Sequence, residues 1–442
     1  MKPSRLAVAL SLAFVVGTAA GEDLVQIYRE AQRNDPTLAA ARASWLATQE
    51  RVPQARAGLL PNVGATAAVN ANEGRATLYG DPRIVNDNVY AASSLQISAS
   101  QPLFRPQNVV ALSQAQRQVE QADYTLAQQQ QDLILRVTIA YFDVLLAQVN
   151  VELAEAQKAA VSEQLAQARR NFEVGVATIT DTNEAQARYD AIVAQEINAR
   201  NDLDNRRTAL RAIIGRMPGE LKRARPGFQT TLPEPNVLEH WLDRALTDNL
   251  SVRISGYNLD VATLEIARAR AAHLPTVDLV ASAAHALGSG SLSTNANSQS
   301  RSTLLGLAVS VPIYQGGFVD SRVREAIALQ DTARQNLEGA RRSAVSNAQN
   351  GFTGVNSAAA SVTAFEQALR SAQTALESNR LGLEVGVRTN LDVLNVTQQL
   401  FQTQRDLAQS YFNYLISLLR LKAAVGALTE QDLEDINRRL QG

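Results

Sequence analysis

The feature that most limits what this chain can become is its internal duplication. "AGLLPNV" at 57–63 returns as "AAHLPTV" at 271–277, an offset of 214. "SQPLF" (100–104) returns as "SVPIY" (310–314) at 210, and "FEVGVATITDTNE" (172–184) as "LEVGVRTNLDVLN" (383–395) at 211. "AIIG" (212–215) and "AAVG" (423–426) close the series, again at 211. The order never changes, and the drift falls between the matched stretches, where loop changes would put it. Two copies are too few for a solenoid. One plan is therefore expected twice, over 22–226 and 227–442.

Each copy reads as helix, strand, loop, strand, long helix, turn, helix. In the first, strands fall at 61–72 and 92–103, the long helix at 109–171 and the next helix at 179–214. In the second, strands fall at 275–287 and 302–313, the long helix at 319–382 and the last helix at 390–425, before a short C-terminal tail. Leu133, Val137, Ala140, Val144, Ala147, Val151 and Ala154 step by four and three, as do Val355, Ala358, Val362, Phe365, Leu369, Ala372 and Leu376. That spacing is a coiled-coil seam, and its many alanines allow close helix approach. A helix of 63 residues extends about 95 Å, a rod that few compact soluble domains can use. Helices over 36–59 and 179–214 together hold about as many residues and could stack beside it.

The strands alternate apolar residues on one face: Val63, Ala65, Ala67, Val69; Leu95, Ile97, Ala99; Val277, Leu279, Ala281, Ala283; Leu305, Leu307, Val309, Val311. Each is near the ~9–11 residues of a tilted membrane-crossing strand. Periodicity alone fits a half-buried soluble hairpin as well. The connections favour the membrane. Residues 73–91 and 288–301 are polar, rich in Gly, Asn and Ser, and expected to be the long external loops of an outer-membrane barrel. Four strands cannot close such a barrel, whose smallest forms have about eight, and lipid does not tolerate an unpaired strand edge. Several copies must then share one barrel.

Composition removes other classes. The 442 residues include no cysteine and three histidines, with a formal charge of −1. Disulfides, thiol nucleophiles and zinc ribbons are excluded, and no basic block suits a nucleic acid. His240, His273 and His285 have no ligand-spaced neighbours, and no glycine-rich phosphate loop or G-x-S-x-G turn occurs, so no enzyme is expected. Residues 1–21 read as an export signal: Lys2 and Arg5, an apolar run over 6–16, then small residues. No cysteine follows, so no lipid anchor is expected at the mature N-terminus.

Across nearly the whole mature chain, from "DLVQIYREAQRNDPTL" (23–38) to "ALTEQDL" (427–433), the sequence resembles the TolC family of outer-membrane channels. The most specific stretches are "NFEVGVATITD" (171–181), "RYDAIVAQEINARNDLDN" (188–205), "VGVRTNLDVLN" (385–395) and "SYFNYLISLLRLKAAVG" (410–426). The resemblance implies an α+β membrane protein: a homotrimer with a 12-stranded barrel, four strands per chain, continuous with a helical coiled-coil tube through the periplasm. It implies an exit duct that docks with a periplasmic adaptor and an inner-membrane transporter of the ABC or RND type. Outer-membrane lipid would surround the strands, and no cofactor is implied. The missing cysteine resembles the unlipidated, secretion-type branch.

The two matching turns are the candidate site. Gly175 and Gly386 suit a helix-ending turn. Thr178 and Thr389, each with an acid three residues on (Asp181 and Asp392), suit helix caps and the macrodipole. These shared features need no more than structure. Arg388 against Ala177, and Asn395 against Glu184, are asymmetric. The resemblance implies that Arg388 latches to Thr180 and Asp181 and that a closing tyrosine is replaced by Leu383. It further implies entrance rings at Asp392 and Asn395, the second neutral here. The rival reading is a soluble periplasmic coiled-coil adaptor, which would share the helices and the oligomer but not the outward-alternating strands.

Overall fold

The computed structural model describes residues 21–80, 84–222, 230–291 and 296–441. Apart from Gly21, the expected export segment lies outside the described residues. The chain divides into two compact units that interleave in sequence. One is helical, with the described residues of 21–39, 129–245 and 346–441. The other carries the sheet, with residues 40–128 and 246–345.

The sheet unit is an antiparallel meander of β1 (Asn62–Leu78), β2 (Ile84–Phe104), β3 (Thr276–Gly288) and β4 (Ser298–Ser310), in that order. β1 and β4 are its edges, and neither pairs with the other. Val63, Val69, Leu305, Leu307, Val309 and Val311 are all exposed, and so, except Gly306, are the residues that alternate with them, so these apolar side chains have no cover from their own chain. At the foot of the sheet Arg105 grips Asp278 with two hydrogen bonds, 2.8 and 2.6 Å, where β2 leads into the next helix.

Residues 73–91 are not the expected loop. β1 and β2 run on through most of them, and Arg75 faces Asp87 across the ladder in a two-bond ion pair. The alternation is broken there by Glu73, Arg75, Asn86, Asp87 and Asn88, while backbone pairing needs no apolar side chain. The second connection is also shorter than the expected 288–301, since β4 begins at Ser298 and ends at Ser310.

The helices around the sheet are α2 (Pro36–Gln49), α3 (Arg51–Ala57), the first part of α4 (Pro106–Glu173), α7 (Leu250–Arg270) and the first part of α8 (Phe318–Glu384). The single helix expected over 36–59 is broken at Glu50. Pro53 is the cause: it has no N–H to give the Gln49 carbonyl, and its ring crowds that oxygen. Trp45 Nε1 donates to Asp123 (2.6 Å), and Tyr124 stacks on Tyr257 at 5.4 Å.

The helical unit holds α1 (Leu24–Asn34), the rest of α4 and α8, α5 (Ile179–Ile214), most of α6 (Leu238–Asp248), α9 (Asn390–Ala424) and α10 (Glu430–Gln441). α4 and α8 have 68 and 67 residues, about 100 Å of helix each. Every residue of both expected seams is buried or half-buried. Phe142 of α4 stacks on Phe412 of α9 at 5.2 Å.

Asp35, between α1 and α2, is buried; it caps α2 through the Leu38 N–H (2.8 Å) and takes two bonds from Arg136 of α4 (3.2 and 2.8 Å). The expected C-terminal tail is instead helix α10. Leu433, Ile436 and Leu440 bury one stripe, Asp432 caps its start from Thr429 and pairs with Lys422, and Asn437 reaches Asp23.

Candidate functional site: two helix turns with one asymmetric charge

Both turns lie in the helical unit and share one backbone design. α4 ends at Glu173, and Val176 and Ala177 donate back to the Asn171 carbonyl (2.9 and 3.2 Å). α8 ends at Glu384, and Val387 and Arg388 donate to the Gly382 carbonyl (2.8 and 3.1 Å). Gly175 and Gly386 have φ of 80° and 78°, and a Cβ on either would meet nothing within 4 Å. Left-handed backbone, and not space, demands glycine there.

The next helices start with equal regularity. Thr178 Oγ1 accepts from the Asp181 N–H (3.2 Å), and the Asp181 carboxylate accepts from the Thr178 N–H and hydroxyl (2.9 and 2.7 Å). Thr389 and Asp392 repeat this at 3.2, 2.9 and 2.9 Å. Such a capping box satisfies two otherwise orphaned backbone donors. Thr178→Ala or Thr389→Ala is expected to cost about 1 kcal/mol of local stability, readable as faster amide exchange in the first turn of α5 or α9.

The turns differ where the sequences do. Arg388 lays its stem over Gly382: a Cβ there would come 2.6 Å from Arg388 Cγ. The equivalent of Gly382 in the first copy is Asn171, opposite Ala177. The arginine and the space beneath it thus occur together in one turn and in neither position of the other. Within one chain the exposed Arg388 guanidinium makes no hydrogen bond or ion pair among the described residues. Thr180 is also exposed, and Asp181 is occupied by Thr178. Leu383 is half-buried beside Gly382.

The Thr389 backbone N–H, then the Thr389 hydroxyl, then the charge of Arg388 hold the Asp392 carboxyl below the ordinary carboxylate range. It therefore stays ionised to lower pH than a free aspartate. Asn395 is not a bare amide: its Oδ1 accepts from Arg188 Nη2 at 2.9 Å. Arg188 was not expected, because its partners lie more than 200 positions along the chain.

Around the turns, Val161, Leu165 and Ala168 of α4, Ala185 and Ile192 of α5 and Leu394 of α9 form one apolar cluster. Beyond it, valines are left in solvent: Val174, Val176, Val385 and Val387 are 73, 74, 65 and 75% exposed. No group of His, Asp and Glu among the described residues has the geometry of a metal site.

Comparison with known proteins places this architecture. The family described as outer membrane efflux protein matches residues 27–216 and again 241–427. Outer membrane protein TolC of Escherichia coli (strain K12) is 36% identical over 443 residues, covering 98% of this chain and 88% of that protein. Proteases secretion protein PrtF of Dickeya chrysanthemi is 32% identical over 441 residues, covering 98% and 94%. The solved CmeC outer membrane channel of Campylobacter jejuni matches with a TM-score of 0.79 over 95% of this chain and 89% of its own, at 16% identity, so that likeness is of fold. With its four-stranded sheet, its two long helices and its paired turns, the chain belongs to the TolC-type outer membrane efflux protein family of the outer membrane.

Proposed function

We propose that this protein is an outer-membrane exit duct, formed by three copies and closed at the two helix turns until a transporter complex engages it. The observation that carries this reading is the sheet with two open edges and apolar side chains left uncovered along both of them. In lipid those edges need partners, and further copies of the same chain supply them. Three copies would bring twelve strands. The two halves, 22–226 and 227–442, would then alternate around the assembly as duplicated versions of one unit.

The turns are the gate in this reading. The Arg388 guanidinium makes no hydrogen bond or ion pair among the described residues, and Asp181 and Thr180 are on the matching turn, so the latch is a bond between neighbouring copies. Asp392, ionised over a wide pH range, forms a charged ring of three at the entrance. The four exposed valines offer an apolar footing to a periplasmic adaptor, and an inner-membrane transporter of the ABC or RND type supplies cargo and energy. Proteins and small toxic compounds are the two cargo classes.

The purified full chain should run as a heat-labile oligomer from the outer-membrane fraction and give discrete conductance steps in a planar bilayer. Divalent or trivalent cations added on the periplasmic side should block those steps, and Asp392→Ala should weaken the block at least severalfold. Full block in the variant removes Asp392 from the entrance. A freely soluble periplasmic protein without conductance removes the duct reading altogether.

A further inference from the structure

Near the second turn, α5 and α9 are joined by a bridge within one chain. Arg188 Nη1 donates to Gln398 Oε1 at 2.6 Å, and Nη2 donates to Asn395 Oδ1 at 2.9 Å. Residues 395 and 398 are three apart on α9, so their amides lie on one helix face. A planar guanidinium can meet both with separate nitrogens, which an ammonium on a flexible stem does not reproduce.

The surroundings give this bridge its weight. In the apolar cluster α4 supplies three residues, α5 supplies two and α9 supplies Leu394. α4 and α5 are thus joined there through carbon. Near the turns α9 meets them through that leucine, through Gln164 Nε2 donating to Thr397 (3.2 Å) and through the Arg188 fork, while the Phe142–Phe412 stack lies farther along both helices. Apolar contacts tolerate sliding, whereas hydrogen bonds weaken steeply with distance and angle. Directional bonds therefore resist movement of α9 along the α4–α5 pair more sharply than the leucine does.

We propose that Arg188 is a positioning residue of the gate: it restrains α9 against α5 inside each copy, independently of the Arg388 latch between copies. This rests on the reading of the turns as a gate. It also changes the role of Asn395 from a lumen ring to an acceptor in a restraint. Because both acceptors are neutral, Asn395→Asp should turn one arm into an ion pair and tighten the link. If Asn395 instead faced the lumen as a ring, the same change would add pore charge whether or not Arg188 were present.

The test is single-channel recording of the purified full-length protein, with heat stability of the oligomer as a control for folding. Arg188→Ala is expected to raise the open fraction about tenfold, and Arg188→Lys to rescue only part of the closure. Asn395→Leu with Gln398→Leu, which removes the acceptors and keeps Arg188, should open the gate in the same way. Asn395→Asp should lower the open fraction when Arg188 is present and have no closing effect beside Arg188→Ala. Wild-type behaviour in both the Arg188→Ala and the acceptor variants overturns the proposal. So does an Asn395→Asp effect that is identical with and without Arg188. A wild-type protein that never conducts removes the gate reading beneath it, a failure visible before any variant is compared.

Discussion

Arg388→Ser is expected to raise single-channel conductance and to let large antibiotics into cells that carry the variant. The side chain is exposed, carries no hydrogen bond or ion pair among the described residues and stands on the turn that differs from its duplicate at this position. One exposed ion pair is worth only about 0–1 kcal/mol. A bond to an acceptor already fixed by a capping box loses less entropy on forming, and three copies act on one opening. Together they would shift the open–closed balance by roughly tenfold to a hundredfold.

Gly382→Ala gives an independent arm of the same experiment. It leaves the charge in place but puts a methyl group 2.6 Å from Arg388 Cγ, so the stem must move. The expected change has the same direction as Arg388→Ser and a smaller size. Wild-type conductance and antibiotic resistance in both variants would end the latch hypothesis.

The largest loss of stability should follow Arg136→Ala. Asp35 is 2% exposed at its side chain, and Arg136 supplies two of its hydrogen bonds. Removing Arg136 leaves the buried carboxylate with its backbone donors but no opposite charge, and about 3 kcal/mol is expected, the low end for such pairs because Arg136 is partly exposed and those donors remain. Thermal unfolding of the purified oligomer reads this directly.

The pH dependence follows from the same pair. Burial pushes the Asp35 carboxyl up, but the Arg136 hydrogen bonds, the Leu38 N–H and the Arg136 charge together outweigh it and leave the carboxyl below its ordinary value. The stabilisation is thus present above the unfolded carboxylate range, near pH 3.9, and is lost as pH falls through the lower folded value. In Arg136→Ala burial still raises the carboxyl and only the backbone bonds oppose it, so the folded value moves up toward the unfolded one and the Asp35 share of the acid limb should shrink. Asp35→Asn should flatten that part of the acid limb. An acid limb unchanged in both variants would show that Asp35 does not set it.

What could be read from sequence was what is locally encoded. The seams carried their own spacing, and the turns carried glycine, threonine and aspartate at offsets with one mechanical meaning. Helix α5 falls at 179–214, as its cap at Thr178 and its glycine at 215 dictate. α10 was equally encoded, by Leu433, Ile436 and Leu440 behind Thr429 and Asp432, but twelve residues make a weak pattern beside rods of nearly seventy. The continuation of β1 and β2 left too few apolar residues, Leu78, Ile84, Val85 and Val89, scattered among charges and amides, because side-chain pattern reports environment and not backbone pairing. The fork from Arg188 joins residues 207 and 210 positions apart, and no local rule connects them. The fit of Arg388 over Gly382 spans only six residues, yet it depends on side-chain direction, which spacing does not give.

The overhang of the first hairpin has a practical consequence. β3 leaves the sheet at Gly288 opposite Ala92, and Ser289 and Ser291 still hold Ala91 and Asn88. Past that point, among the described residues, β1 and β2 pair only with each other, from Arg75 and Asp87 to Leu78 and Ile84. A two-stranded ribbon has little stability of its own, and the Arg75–Asp87 pair is its clamp. An epitope inserted after Tyr79 would ride on a ribbon that the rest of the ladder does not need, and its detection on intact cells is the expected result if this end of the sheet faces outward.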